Sequence, residues 1–191
     1  MSARTLLIVI ALTLFSLSCS SGGEEQQQQE AYTVPPEVEQ IPYGPTFGLR
    51  APEIVLPGPH GEEIALSSYR GKLVLLDFWA SWCPPCRQEN PHLVKLYKDY
   101  RDASFEKGEG FAIYQVSLDR DREAWLKAIE DDGLIWSGHV SDLEGARSEV
   151  AQAYEVTAIP TSFLLDRNGV IIGKNLRGDE LDDTLEGLLA E

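Results

Sequence analysis

Two cysteines enclose two prolines, Cys83-Pro84-Pro85-Cys86, directly after the apolar run Leu73-Val74-Leu75-Leu76-Asp77-Phe78-Trp79. Thiols at this spacing come within bonding reach when the first opens a helix and the second lies one turn inside it. At that place the first sulfur faces unpaired amide N–H groups and the positive end of the helix dipole, and both favour its thiolate. The chemistry that suits such a pair is exchange of a disulfide with another thiol pair. Cys83 is expected to attack, from a position near the surface beside Trp82. Cys86 is expected to be buried and to resolve the mixed disulfide. Pro84 and Pro85 are tolerated in a first helical turn, where an N–H has no intrahelical acceptor. Each nevertheless removes a donor that could stabilise a Cys83 thiolate. One pKa unit corresponds to about 1.4 kcal/mol, or about 30 mV for this two-electron couple. Fewer donors disfavour the reduced form, so the expected direction is reduction of substrate disulfides.

The elements that must position these residues can be read from hydrophobic pattern. Lys72–Trp79 and Phe111–Leu118 read as strands buried on both faces of a sheet. A helix is expected from Pro84 to about Asp102, with Leu93, Leu96, Tyr97 and Tyr100 on one side and a kink at Pro91. Asp121–Asp131 reads as a helix with Trp125, Leu126 and Ile129 inward, and Glu149–Tyr154 as a short helix. Thr161–Leu165 and Val170–Asn175 flank Asp166-Arg167-Asn168-Gly169, a strong hairpin signal. Asp179–Ala190 closes as an amphipathic helix. Ahead of these, Ile54–Leu56 and Glu62–Leu66 flank a Pro/Gly turn and form a hairpin extension. The order gives an α/β architecture, a sheet with helices on both faces.

The chain has 191 residues and three cysteines, and a formal net charge of -15 with no basic run, which excludes a nucleic-acid footprint. Residues 1–19 hold one early cation, an apolar run of about a dozen residues, and Cys19; the run is too short to cross a bilayer and fits an export signal. Its end resembles a bacterial lipobox with Cys19 as the lipidated residue, although Ser16 stands where such boxes usually carry Leu. Residues 20–50, rich in Ser, Gly, Glu, Gln and Pro, read as a tether. As a coil of about 30 residues it would span roughly 30 Å. Val34, Val38, Ile41, Tyr43 and Phe47 could pack its last part on the domain, which occupies 51–191.

Ala51-Pro52-Glu53, Leu75 through Cys86, Glu89 with Pro91, Val116 through Asp119, Ile159-Pro160-Thr161 and the Asp166–Gly169 turn together resemble the thioredoxin fold. They are most similar to its extracytoplasmic branch containing TlpA and ResA. The resemblance implies a mixed sheet, a cis bond before Pro160, and redox work in the periplasm of a Gram-negative-type cell envelope or at its outer surface. It implies disulfide-bearing protein substrates, apocytochrome c among them, and re-reduction by an integral-membrane electron transporter. Pro160 would lie against the disulfide and block metal access, and the Ile159 backbone would pair with an extended substrate. Trp82, Pro84 and Pro85 border the same surface. Asp77 aligns with the buried acid of thioredoxin, and Glu89 with the glutamate of the ResA-like branch. Either could take the proton that Cys86 must lose, because a buried carboxylate acts as a base near neutrality. Asp77 is favoured as the shuttle, and Glu89 as a second tuning charge. No cofactor or metal is expected, and the domain is expected to be a monomer.

Three rivals remain. Cys83 and Cys86 could be half of a zinc site, but His60, His92 and His139 are isolated, Cys19 lies on the tether, and His92 reads as a helix-surface residue. A peroxidase would share Val116–Asp119 but needs a lone-cysteine motif that is absent. A non-catalytic binding module on the same fold would not need both cysteines and the proline loop.

Overall fold

Residues 32–190 are described in a computed structural model; the expected signal segment, Cys19 and the first part of the tether lie outside the described residues. Along the chain come α1 (Pro36–Glu39), β1 (Val55–Pro57), β2 (Glu63–Ala65), β3 (Leu73–Trp79), α2 (Pro84–Tyr100), β4 (Ser104–Phe105), β5 (Gly108–Glu109) and β6 (Phe111–Ser117). They are followed by α3 (Arg122–Asp131), β7 (Gly138–Val140), α4 (Glu149–Ala153), β8 (Thr161–Leu165), β9 (Ile171–Lys174) and α5 (Asp179–Glu186).

Five strands form the central sheet in the order β7-β6-β3-β8-β9. The β3–β6 and β6–β7 pairs are parallel, and β3–β8 and β8–β9 antiparallel, so the sheet is mixed. β3 runs through its middle and all seven of its residues are buried, as its unbroken apolar sequence requires. Side chains alternate along a strand. Leu73, Leu75 and Trp79 therefore join one core, with Leu93 and Leu96 of α2, Trp125 of α3, and Leu181 and Leu185 of α5. Val74, Leu76 and Phe78 join a second core, with Ile54, Leu66, and Ala151 of α4. Asp77 shares the parity of the first set. This places a carboxylate in the layer between the sheet and the helix that carries the cysteines.

Local chemistry sets the boundaries. Asp121 caps α3, its carboxylate accepting from the Glu123 and Ala124 N–H groups. Asp166 Oδ1 accepts from the Asn168 and Val170 N–H groups at 2.9 Å each and closes the β8–β9 turn, with Gly169 at φ 77°. α2 continues through Pro91 as one element. α5 stops at Glu186, short of the expected Ala190. Beyond Gly187 the chain turns to pair with β4, the Leu188 carbonyl accepting from Glu106 N–H and the Ala190 N–H donating to Ser104.

Residues 32–50, which composition places at the end of a tether, lie along the domain. Gly48 N–H donates to the Ile171 carbonyl and Ile171 N–H to Leu49, so this segment extends the edge at β9. Tyr32 donates to Asn168 Oδ1 at 2.6 Å. Of the five side chains expected to pack here, Val38 is buried and Val34 and Ile41 are half-buried, while Tyr43 and Phe47 are exposed, and backbone pairing adds to the attachment.

Candidate active site

β3 ends at Trp79, and four residues later the chain enters α2 with Cys83 as its N-cap. Cys83 and Cys86 are joined, with S–S 2.01 Å and Cα–Cα 5.3 Å. Pro84 and Pro85 fill the first two helical positions and offer no N–H. The first amide donor of α2 is therefore that of Cys86, and it points at Cys83 Sγ at 3.3 Å. Both cysteines are covered, Cys83 at 3% exposure and Cys86 at 2%. This corrects the expectation that Cys83 lies near the surface. In the bonded state it packs with Trp79 and Ala80, Ile159 packs against that cluster, and Trp82, Pro84 and Pro85 face solvent around it. Exposure does not distinguish the two sulfurs; position on the helix does.

The Ile159–Pro160 bond is cis. Pro160 shares a small cavity with Cys86, Asp77, Glu89, Ser162 and Arg177. Its volume is about 10 Å³, room for a single water. Arg177, from the loop between β9 and α5, donates to the Pro160 carbonyl and fixes that turn.

Asp77 is 6% exposed. In register it lies between Gln115 of β6 and Ser162 of β8, a polar row across an otherwise apolar sheet face. Burial raises its pKa to about 6 against the opposing hydrogen bond from Gln115 and the charge of Arg177, with the Glu89 charge adding to the rise. Gln115 Nε2 donates to Asp77 Oδ2 at 3.0 Å and reaches Asn90 Oδ1 at 3.5 Å. Asn90, buried on α2, donates to Asp132 at 2.6 Å, and Asp132 also holds Arg87. Arg87 Nη1 donates to the Ser81 carbonyl at 3.1 Å. Ser81 in turn is held twice by Asp119, through its N–H at 2.9 Å and its hydroxyl at 2.6 Å. One hydrogen-bonded chain thus runs from the buried acid beneath α2 to the loop that delivers Cys83, and it fixes the site before any substrate arrives.

Glu89 stands on the other side of α2. Its Oε1 accepts from the Gly178 N–H at 3.1 Å and lies 3.0 Å from His92 Nδ1. His92, which reads in sequence as an isolated surface residue, is bonded at its other nitrogen to Asp182 Oδ1 at 2.9 Å.

The profile of the AhpC/TSA family matches residues 47–174. ResA, a thiol-disulfide oxidoreductase of Geobacillus kaustophilus, is 34% identical over 144 residues, covering 74% of this chain and 77% of that protein. The thioredoxin-like protein YneN of Bacillus subtilis is 36% identical over 65% of this chain and 68% of its own. Among solved structures, a thiol-disulfide oxidoreductase from Bacteroides fragilis is 39% identical with TM-score 0.65, covering 73% of this chain and 99% of that one. The chain belongs to the AhpC/TSA family. Within it, this is a thiol-disulfide oxidoreductase of the ResA type, with Cys83–Cys86 as its redox pair.

In this oxidoreductase Trp82, 64% exposed, separates two open surface grooves. One, of about 350 Å³, is mostly apolar and runs from Trp82 past Leu118 and Val156 to Ile159. The expected substrate-side residues Trp82 and Ile159 are thus brought together, while Pro160 turns inward to the cavity. Among the described residues no group of three or more His, Cys, Asp or Glu is arranged to hold a metal ion. Gln115, Ser162, Arg177, His92 and Asp182 escaped the sequence reading. Gln115 and Ser162 carried a signal, being polar residues at the core-facing parity of buried strands. Arg177 and Asp182 meet the site across long stretches of chain, and no local pattern marks them; His92 stands one turn from Glu89 on α2, but its second partner, Asp182, lies on α5.

Proposed function

We propose that this protein is an extracytoplasmic reductase of disulfides in other proteins, lipid-anchored at Cys19 and recharged by a membrane-bound thiol transporter. The carrying observation is the start of α2, where two prolines leave Cys83 Sγ a single helical N–H donor, that of Cys86. A thiolate held by one donor gains little, and the oxidised pair is correspondingly hard to reduce.

In the reduced enzyme Cys83 Sγ attacks a substrate disulfide and expels one substrate thiolate. Cys86, having given up its proton, attacks Cys83 Sγ and expels the second thiolate. Two electrons pass from the dithiol to the substrate, and the Cys83–Cys86 bond forms. Asp77 is suited to take the Cys86 proton, since it lines the same cavity and burial raises its pKa to about 6. The exposed Trp82 and the apolar groove beside it offer a docking surface for a polypeptide. Apocytochrome c is the substrate that resemblance to the ResA branch favours.

Equilibration of the domain with glutathione tests the direction. The expected midpoint is nearer the value of about -270 mV typical of thioredoxin than the value of about -120 mV typical of DsbA. A midpoint near the latter overturns the reductase reading. Reduction of insulin by the dithiol form is expected, and its absence would favour a binding module.

A further inference from the structure

His92 is placed where the fold alone does not require it. A histidine on the flank of a helix needs no partners, yet both of its ring nitrogens meet carboxylates from different elements, Glu89 three residues back on α2 and Asp182 on α5. The inner carboxylate lines the one-water cavity beside Cys86. The outer one belongs to the first turn of α5 and is the most open of the three, with side-chain exposures of 24% for Glu89, 23% for His92 and 32% for Asp182. Gly178 N–H holds Glu89 Oε1 from the far side, so the inner end of the row is fixed.

We propose that Glu89, His92 and Asp182 carry a proton between the cavity at Cys86 and solvent, with His92 as the exchanging group. This rests on the reading of Cys86 as the resolving thiol. Asp77 takes the Cys86 proton and passes one across the shared cavity to Glu89, Glu89 gives a proton to His92 Nδ1, and His92 Nε2–H gives one to Asp182, which releases it to water. The Cys86 thiolate left behind attacks Cys83 Sγ, and the electron pair of the broken bond leaves with the substrate sulfur. The reverse path returns a proton when the pair is re-reduced. His92 and Asp182 never touch the reacting sulfur; they are positioning residues that act through Glu89.

The path is open in the resolving direction when His92 is neutral at Nδ1. Burial disfavours its charged form, but the hydrogen bonds with Glu89 and Asp182 prevail and raise its pKa. The other charges in range are Lys95 on the same helix, which lies near Asp182 while paired with Asp99, and Asp77 and Arg177, which share the cavity with Glu89. The rate of resolution should therefore rise with pH through an inflection above the ordinary histidine value.

The test uses the reduced full-length protein with Cys19→Ser, which leaves Cys83 and Cys86 as its two thiols, and dithiobis-nitrobenzoate, whose released thiolate is coloured. Attack by Cys83 releases a first equivalent and attack by Cys86 a second. His92→Ala is expected to slow the second phase roughly tenfold, to leave the first phase unchanged, and to lose the inflection, with imidazole in the buffer entering the vacated space and restoring the rate. His92→Gln, which can hydrogen-bond without passing a proton, is expected to be slowed equally. A second phase of wild-type rate in His92→Gln, or a slowed His92→Ala that imidazole does not restore, overturns the relay. Release of two equivalents by Cys86→Ser would instead overturn the assignment of Cys86 beneath it.

Discussion

The two carboxylates that meet at Cys86 come from opposite kinds of surroundings. Asp77 belongs to the sheet. It is enclosed in the middle strand, bonded to an amide, and linked through Asn90 and Asp132 to the loop ahead of Cys83. Glu89 belongs to the contact between α2 and α5, a quarter exposed and bonded to an imidazole and a backbone N–H. The sheet side can hold a proton because burial makes the anion costly there. The helix side can exchange one because Glu89 bonds His92 and the row reaches water. A thiol-disulfide enzyme needs both properties, storage next to the sulfur and access to bulk, and the proposed mechanism divides them between two elements packed on one cavity.

Removing the store should have the largest effect. Asp77→Asn should slow attack by Cys86 roughly 100-fold at neutral pH, measured as the second phase of thiolate release, while Glu89→Gln should slow it only about tenfold. If Glu89→Gln proves the slower variant, the roles are exchanged. The same Asp77 substitution separates the acids by stability. The folded-state pKa of Asp77 is raised from 3.8 to about 6, so the native state binds the extra proton and stability falls as pH rises through that window. Asp77→Asn removes this and should stabilise the oxidised protein by roughly 2–3 kcal/mol at pH 7 and by little below pH 4. Urea unfolding at the two pH values checks it, and an equal gain at both contradicts it.

Gln115→Leu sharpens the comparison with a smaller effect. It removes the hydrogen bond that lowers the Asp77 pKa, so the lower of two inflections in the pH profile of Cys86 attack, the one Asp77 contributes below that of His92, should move upward from about 6. An unmoved inflection would mean that it belongs elsewhere. The smallest effect is expected at Trp82→Ala, outside both acids. It should raise KM for a protein disulfide several-fold and leave the rate with a small aromatic disulfide unchanged, because Trp82 borders the docking groove and not the cavity.

Much of this division was legible in the chain. An acid inside the unbroken apolar run Leu73–Trp79 must be buried, and a period of two puts it on the face of Leu75 and Trp79. The β8–β9 hairpin was announced by Asp166-Arg167-Asn168-Gly169, and α3 by Asp121 before an amphipathic run. β7 was not, because Gly138–Val140 is too short to show any period. The exposure of Cys83 was misjudged because sequence shows its exposed neighbours but not Ile159, which arrives from 76 positions away to pack on the cluster it joins. His92 was misjudged for a similar reason: Asp182 lies 90 residues on, and only the packing of α5 against α2 brings it near.

The proposed reaction depends on Cys83 attacking and Cys86 resolving. Mixing reduced Cys86→Ser protein with insulin and mapping the product by mass spectrometry tests it directly. A stable mixed disulfide between Cys83 and an insulin cysteine is predicted, with none formed by Cys83→Ser under the same conditions. A Cys83→Ser protein that traps insulin through Cys86, or a Cys86→Ser protein that forms no adduct, would contradict it.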